Sequence, residues 1–370
     1  MRVEDSSHRS PQPCGRYRFH AVLLRRTHMA TCAFVSFRLG LTDGVSVVAT
    51  QWMRAFESIG FEVLTVAGEG PVDHEVPGLA IDADVGPKPE EMAAVLDGVD
   101  LVVVENVLTI PMNLSASAAL AGALQGRPAL LHHHDPPWQR ARYRHITELP
   151  ADDPAWRHVT INKLTAAEMG ERGIAASVVY NGFDTDPPDG DRRGMRAALD
   201  VDDDELLVVQ PARAIERKDV ARGIQTAEEI GATFWITGPA EEGFQPTLDA
   251  LVTAARCRVI HRRAHDVNDL YAAADLVVFP STWEGFGNPP IEASIRCRPV
   301  AVGRYPVAEE LRALGFRWMD ARDSIAIAEA TRAPDPVSLA HNRELADRHF
   351  SLARMQERVH GVLADAGWLP

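Results

Sequence analysis

From residue 31 to about residue 303 the chain alternates short apolar runs with longer amphipathic stretches, and it does so in two series. The runs are apolar almost without interruption, as strands read when both faces of a sheet are covered. Alternation of such strands with helices implies parallel sheets joined by helical crossovers. The first series predicts strands at 32–37, 61–67, 101–105, 128–134, 158–162 and 177–181, and helices at 45–60, 89–99, 113–124 and 163–173. NGFDTDPPDGD (181–191) then breaks the pattern; its Pro, Gly and Asp content reads as an interdomain linker. The second series predicts strands at 206–212, 233–238, 257–262, 275–281 and 299–303, and helices at 220–231, 267–274 and 291–296. The stretch 339–368 reads as helical throughout. The expected fold is therefore α/β, with two doubly wound parallel-sheet units in tandem. A chain of 370 residues has the length for two such domains.

Several function classes drop out. A formal net charge of -14 argues against a general binder of nucleic acid or anionic membrane, so an anionic ligand needs a local basic pocket. No apolar run approaches the ~20 residues of a membrane span. LVVVENVLTI (101–110) is too short and contains Glu105. Cys14, Cys32, Cys257 and Cys297 form no CxxC pair, which excludes a zinc knuckle and fits a reducing cytoplasm. Residues 1–28 show no periodic pattern and read as a disordered tail or a miscalled start before Met29. Oligomeric state is not readable.

In open parallel sheets ligands bind at the carboxyl ends of strands. PSTWEGFGNPPIEAS (280–294) follows the apolar run LVVF and so lies at such an end. Its glycines allow close backbone approach, and Pro289 or Pro290 suits the first turn of a helix. The amides around Gly285–Asn288 then form a donor platform at a helix N-terminus, suited to anionic or oxygen-rich ligands. Glu284 lies in the loop and Glu292 in the first helical turn; each carboxylate suits a pair of neighbouring hydroxyls, one of a sugar and one of a ribose. In QPARAIERKDV (210–220) another strand end precedes Arg213, Lys218 and the N-cap candidate Asp219. Two cations there make an anion site for which a diphosphate is the natural occupant.

These residues carry a resemblance. EGFGNPPIE has the E-x7-E spacing and resembles the retaining GT-B glycosyltransferases of family 4. PARAIERK resembles their GRxxxxK donor-phosphate segment, YNGFD (180–184) the segment closing their first domain, and 38–63 their amino-terminal Gly loop and first helix. The resemblance covers about residues 31–310. It implies two Rossmann-like domains facing a cleft: an acceptor-side domain at 29–183, a nucleotide-sugar donor domain at 184–345, and a C-terminal helix at 346–370 crossing back to the first domain. It implies a metal-independent, retaining transfer of a hexose from a UDP- or GDP-linked donor to an acceptor hydroxyl, with no cofactor. Residue by residue, Glu284 would hold the transferred sugar and Glu292 the ribose. The amides of Phe286, Gly287 and Asn288, beside Gly285, would touch sugar or phosphate. Arg213 and Lys218 would neutralise the diphosphate, Gly44 would admit the phosphates, and His134 would lie near the acceptor and the anomeric centre. Three positions depart from the pattern: Asp219 stands where Gly is common after the Lys, TDG (42–44) where a Gly pair is frequent, and Asn288 where Leu is commoner.

Rival readings are weaker. GEGPVD (68–73) lacks the third Gly and the following helix of a dinucleotide fingerprint and reads as a turn. The D-x-D triplets at 82–84 and 184–186 read as solvated turn aspartates. His132, His133 and His134 cannot share one ion, because successive strand side chains point to opposite faces; His132 and His134 lack an obvious third ligand. His261, Arg262 and Arg263 border a nucleotide base or form an exposed basic turn. A GT-B-fold sugar-nucleotide epimerase and an inactive sugar-nucleotide-binding protein are the alternatives to a transferase.

Overall fold

The computed structural model describes residues 29–41 and 43–370; the expected tail or miscalled start lies outside the described residues. The first unit runs β1 (Thr31–Arg38), α1 (Gly44–Ile59), β2 (Glu62–Glu69), β3 (His74–Glu75), α2 (Pro89–Val95), β4 (Leu101–Glu105), α3 (Leu114–Leu124), β5 (Ala129–His133), β6 (Trp156–Thr160), α4 (Lys163–Gly170) and β7 (Ala176–Val178). The second runs α5 (Arg192–Ala198), β8 (Leu207–Gln210), α6 (Val220–Ile230), β9 (Thr233–Ile236), α7 (Gln245–Ala254), β10 (Val259–His261), α8 (Val267–Ala273), β11 (Leu276–Phe279), α9 (Asn288–Ile295), β12 (Val300–Val302), α10 (Pro306–Arg312), β13 (Met319–Asp320) and α11 (Ser324–Arg332). Helices α12 (Pro336–Phe350) and α13 (Leu352–Ala366) close the chain. The alternation expected from the sequence is present. The pattern missed β3 and β13, two residues each and too short to show a period, and helices α5, α7, α10 and α11.

All strand pairs are parallel, in the orders β3-β2-β1-β4-β5-β6-β7 and β10-β9-β8-β11-β12-β13. The two sheets share one logic: each starts in its middle, grows to one side, then reverses. The reversals lie between β1 and β4 and between β8 and β11. Both faces of each sheet are buried, which explains the unbroken apolar runs. Cys32 and Phe34 of β1 pack with Trp52 and Phe56 of α1, while Ala33 and Val35 pack with Leu79 and Met92 on the other face.

The closing segment departs from the continuous helix expected over 339–368. It breaks at Ser351, where Phe183 N–H donates to the Phe350 carbonyl at 2.8 Å and Leu352 N–H to the Phe183 carbonyl at 2.9 Å. The two chain crossings between the units are thereby tied together. Helix α12 lies on the second unit, with Leu345 and Phe350 in its core. Helix α13 returns to the first unit, where Met355, Val359 and Leu363 join the core of Cys32 and Trp52.

Glu310 of α10 makes a second tie. Its carboxylate accepts from the Lys163 amide at 2.9 Å and the Leu164 amide at 3.1 Å, and from the Tyr180 hydroxyl at 2.7 Å. A carboxylate of one unit thus caps the N-terminus of helix α4 in the other, where the helix dipole favours negative charge. Each such bond contributes about 0.5–1.5 kcal/mol net. Glu310→Ala is therefore expected to loosen the two units, seen as a larger radius of gyration in small-angle scattering. An unchanged radius would show that the carboxylate does not hold the cleft together.

Candidate active site

Loops from both reversal points converge on one cleft, as expected at strand carboxyl ends. The loop after β11 carries Glu284, and the loop after β8 carries Arg217 and Lys218. The Thr282 amide donates to the Arg217 carbonyl at 2.9 Å and joins the two loops. Glu284 is only 7% exposed, and its two oxygens take one cation each: Arg217 Nη1 at 2.6 Å and Lys218 Nζ at 2.6 Å. Burial pushes the Glu284 carboxyl up, but Lys218 and Arg217 outweigh it and hold the carboxyl below its usual range. Burial dominates at Lys218, against the pull of Glu284, and brings its ammonium down from 10.5 to about 8. The site is therefore a charged carboxylate beside a lysine poised to lose its proton in mildly alkaline solution.

Of the cations picked out in the sequence, the structure brings Lys218 to Glu284 but not Arg213. Arg213 lies at the rim, half-exposed, with its guanidinium 2.6 Å from Glu241. Arg217 is the second cation on Glu284, and its Nη1 also donates to the Trp283 carbonyl at 3.0 Å. The sequence carried no signal for it: in PARAIERK one arginine looks like another, and only the loop path separates them. Asp219 adopts a left-handed conformation (φ 47°) and caps α6 by accepting from the Arg222 amide at 3.2 Å. A residue with φ positive explains why Gly is common here and why Asp, which tolerates that region, is a workable substitute.

The glycine loop is built for close approach. Gly287 has φ 96°, and a Cβ there would lie 2.5 Å from the Tyr305 hydroxyl. A Cβ on Gly285 would lie 2.9 Å from the His134 carbonyl oxygen, so the second unit's loop touches the first unit's β5 loop. Phe286 anchors the loop by burying its ring beside Tyr180, Phe183 and Phe350. Asn162 Nδ2 donates to the Gly285 carbonyl at 2.5 Å and Asn181 Nδ2 to Asn288 Oδ1 at 3.0 Å. Among the described residues, no acceptor is found for the backbone amides of Gly285, Phe286, Gly287 and Asn288. In the first unit, Gly44 starts α1 with Asp43 as its cap, and a Cβ there would meet nothing within 4 Å.

Glu292 sits one turn deeper than the sequence indicated, because α9 begins at Asn288. It is partly buried, and the Tyr271 hydroxyl donates to its Oε2 at 2.6 Å. Burial raises its carboxyl above the usual range, although Tyr271 and Arg296 pull the other way. His261 and Arg262 brace neighbouring loops: His261 Nε2 meets the Gly238 carbonyl at 2.9 Å and Arg262 Nη1 donates to the Ala198 carbonyl at 2.5 Å.

His134 lies at the end of β5 with a partner that sequence reasoning did not find. Glu105, the last residue of β4, pairs in register with His132. Its carboxylate is 2.9 Å from both His132 Nδ1 and His134 Nε2, and all three side chains are buried. This is the third group that the His132–His134 pair lacked in the sequence, and the three donor atoms lie close enough together to hold a metal ion. Burial opposes the charge on Glu105, but His132 and His134 outweigh it and hold the carboxyl down to about 2. The missed signal was a lone Glu at the end of LVVVE, indistinguishable from a solvated strand end. His133 points the other way and contacts Thr109 at 2.6 Å and His158 at 2.9 Å.

The chain is similar to known proteins. The family described as Glycosyl transferases group 1 matches residues 191–333. Mannosylglucosylglycerate synthase of Thermotoga maritima is 24% identical, spanning 88% of this chain and 97% of its own; that of Petrotoga mobilis is 23% identical over 76% and 84%. D-inositol 3-phosphate glycosyltransferase of Mycobacterium tuberculosis is 34% identical over 144 residues, 35% of this chain and 30% of its own. HepE from Anabaena in complex with UDP-glucose superposes with a TM-score of 0.72 at 18% identity, over 91% of this chain and 100% of that one. Sucrose-phosphate synthase from Thermosynechococcus elongatus does so with a TM-score of 0.70 at 15% identity, over 91% and 98%.

The Lys218 environment makes a pH prediction. In the free protein the ammonium is charged below about pH 8 and neutral above it, so above that pH a binding diphosphate must take up a proton at Lys218. Affinity for a nucleoside diphosphate is expected to fall as pH rises from about 7 to 9, by up to about tenfold per unit. Lys218→Met should bind more weakly at pH 7 and show no such slope in calorimetry. An equal slope in both proteins would contradict the assignment.

Proposed function

This chain is a glycosyltransferase carrying a group 1 domain on a GT-B fold, and from that premise we propose that it transfers a hexose, with retention and without a metal, from a UDP- or GDP-linked donor to an acceptor hydroxyl. The observation that carries this reading is Glu284, buried between Arg217 and Lys218 at the meeting point of both loops. Donor phosphates would share the two cations, and sugar hydroxyls would donate to the carboxylate. The open amides of Phe286, Gly287 and Asn288 would donate to the remaining oxygens. Glu292 would take the ribose, and Arg213 would add charge at the rim.

The proposed chemistry follows from charge. The bond from the anomeric carbon to the diphosphate breaks, and negative charge grows on the leaving phosphate. Preorganised cations and amides facing that charge are commonly the largest catalytic term. The acceptor hydroxyl attacks on the same face and passes its proton to the departing phosphate oxygen. No side chain in the cleft is assigned as a covalent nucleophile. HepE, crystallised with UDP-glucose and with UDP and glucose, supports a nucleotide-sugar donor.

The acceptor we propose carries an acid group. Arg140, Arg142, Arg144 and His145 follow His134 closely, with no acidic residue from Pro136 to Thr147, in a chain of net charge -14. Arg142 and Arg144 are exposed, while Arg140 is already paired with Asp135 and also senses the charge of Glu284. Glycerate and inositol 3-phosphate, in the names of the relatives, both bear such a group.

A thermal-shift panel of UDP, GDP and ADP, with and without EDTA, tests the donor. A ligand at 100 times its Kd adds about 2.7 kcal/mol, a visible shift in Tm. One nucleotide should stabilise the protein and still do so in EDTA; a shift from none would remove the donor site. Glu284→Ala should lower kcat/KM at least about tenfold, about 1.4 kcal/mol of transition-state stabilisation. Nucleoside diphosphate release that needs an acceptor separates a transferase from an epimerase or an inactive binder.

A further inference from the structure

We propose that Glu105 is a positioning residue that decides which ring nitrogen of His134 faces the substrate; this rests on His134 belonging to the transfer site. An ionised carboxylate only accepts hydrogen bonds. Glu105 Oε2 is 2.9 Å from His132 Nδ1 and 2.9 Å from His134 Nε2, so each ring must present an N–H to it. In the neutral rings we propose, His132 is then the Nδ1–H tautomer and His134 the Nε2–H tautomer. That leaves the lone pair of His134 on Nδ1, and among the described residues no hydrogen bond is found to that atom. Nδ1 is thereby an obligate acceptor, ready for a substrate hydroxyl and unable to donate to a phosphate or carbonyl oxygen.

The surroundings leave the rings little freedom. Trp52 stacks on His132 with centroids 3.9 Å apart. Asn106, in the left-handed region at φ 66°, accepts through Oδ1 from the His134 amide at 3.1 Å and the Asp135 amide at 3.3 Å, and its own amide donates to the His132 carbonyl at 3.0 Å. Asparagine is one of the few non-glycine residues that adopt this region readily, so the turn is formed at little cost. Glu105 and Asn106 together fix the His134 backbone, its ring and its tautomer. The His134 carbonyl in turn touches Gly285, so the same loop sets the distance to Glu284.

The test is nitrogen NMR of the full chain with labelled histidine, assigned with His134→Gln. The wild type is expected to show His134 as the Nε2–H tautomer. Glu105→Gln, close in shape but uncharged and able to donate, should give a mixture or the other tautomer. It should also lower kcat/KM about tenfold while UDP or GDP affinity stays within twofold, and Glu105→Asp should recover part of the loss. Wild-type His134 protonated at Nδ1, or unchanged turnover in Glu105→Gln, would overturn the inference. So would a stoichiometric metal ion that EDTA removes, since it would occupy the same ring nitrogens. The wild-type spectrum decides the matter even if the variant does not fold. If the tautomer shifts as stated while no nucleotide is bound, the positioning holds and the functional reading fails.

Discussion

A parallel sheet whose two faces are both covered leaves one place where a ligand can meet the backbone, the rim at the carboxyl ends of its strands. Everything in this chain follows from having two such sheets with the same order of strands. Each reverses beside its first strand, between β1 and β4 and between β8 and β11. Loops on either side of a reversal diverge and open a crevice. The residues of chemical interest hang from these loops: Gly44 and Asn106 on one side of the cleft, Lys218 and Glu284 on the other. His134 arrives from β5, next to β4. Helix α13, the Phe183–Ser351 crossing and the Glu310 carboxylate hold the two crevices face to face.

Charge in this cleft is organised against the character of the whole. A chain of net charge -14 repels anions at long range, and a site for one must be made locally. Burying Glu284 alone would be costly, and burying Arg217 or Lys218 alone equally so. Together they satisfy one another at 2.6 Å and leave one positive charge in excess facing the cleft. In the proposed complex a phosphate would share the cations while sugar hydroxyls would donate to the carboxylate, so no buried polar group would lack a partner. Glu105 applies the same economy to histidine: one buried carboxylate fixes two rings.

The site was legible in the sequence wherever residue type and local path coincide. Glu284 follows a strand and precedes a proline-led helix, and its place at a strand end is a local fact. Gly287 is similar, since a positive φ before a helix needs little context. Arg217 and Glu105 were not legible. One arginine among several, and one glutamate closing an apolar run, gain meaning only from what another loop brings within 3 Å. Arg213 shows the same limit: its spacing in the sequence did not reveal the pairing with Glu241 that the fold supplies. The short edge strands β3 and β13 escaped because two residues cannot display a period.

By itself the sequence determined the fold class, the number of sheets and the end of the strands at which chemistry would gather. Those are consequences of periodicity and of where polar residues interrupt it, and both can be read one segment at a time. The tertiary structure alone decided which cation faces Glu284, that the closing helix breaks at Ser351, and that a carboxylate on β4 meets His132 of β5 and His134 just beyond it. Each depends on the lateral order of strands and on contacts between residues far apart in the chain, and parallel pairing makes nearly every such contact long-range.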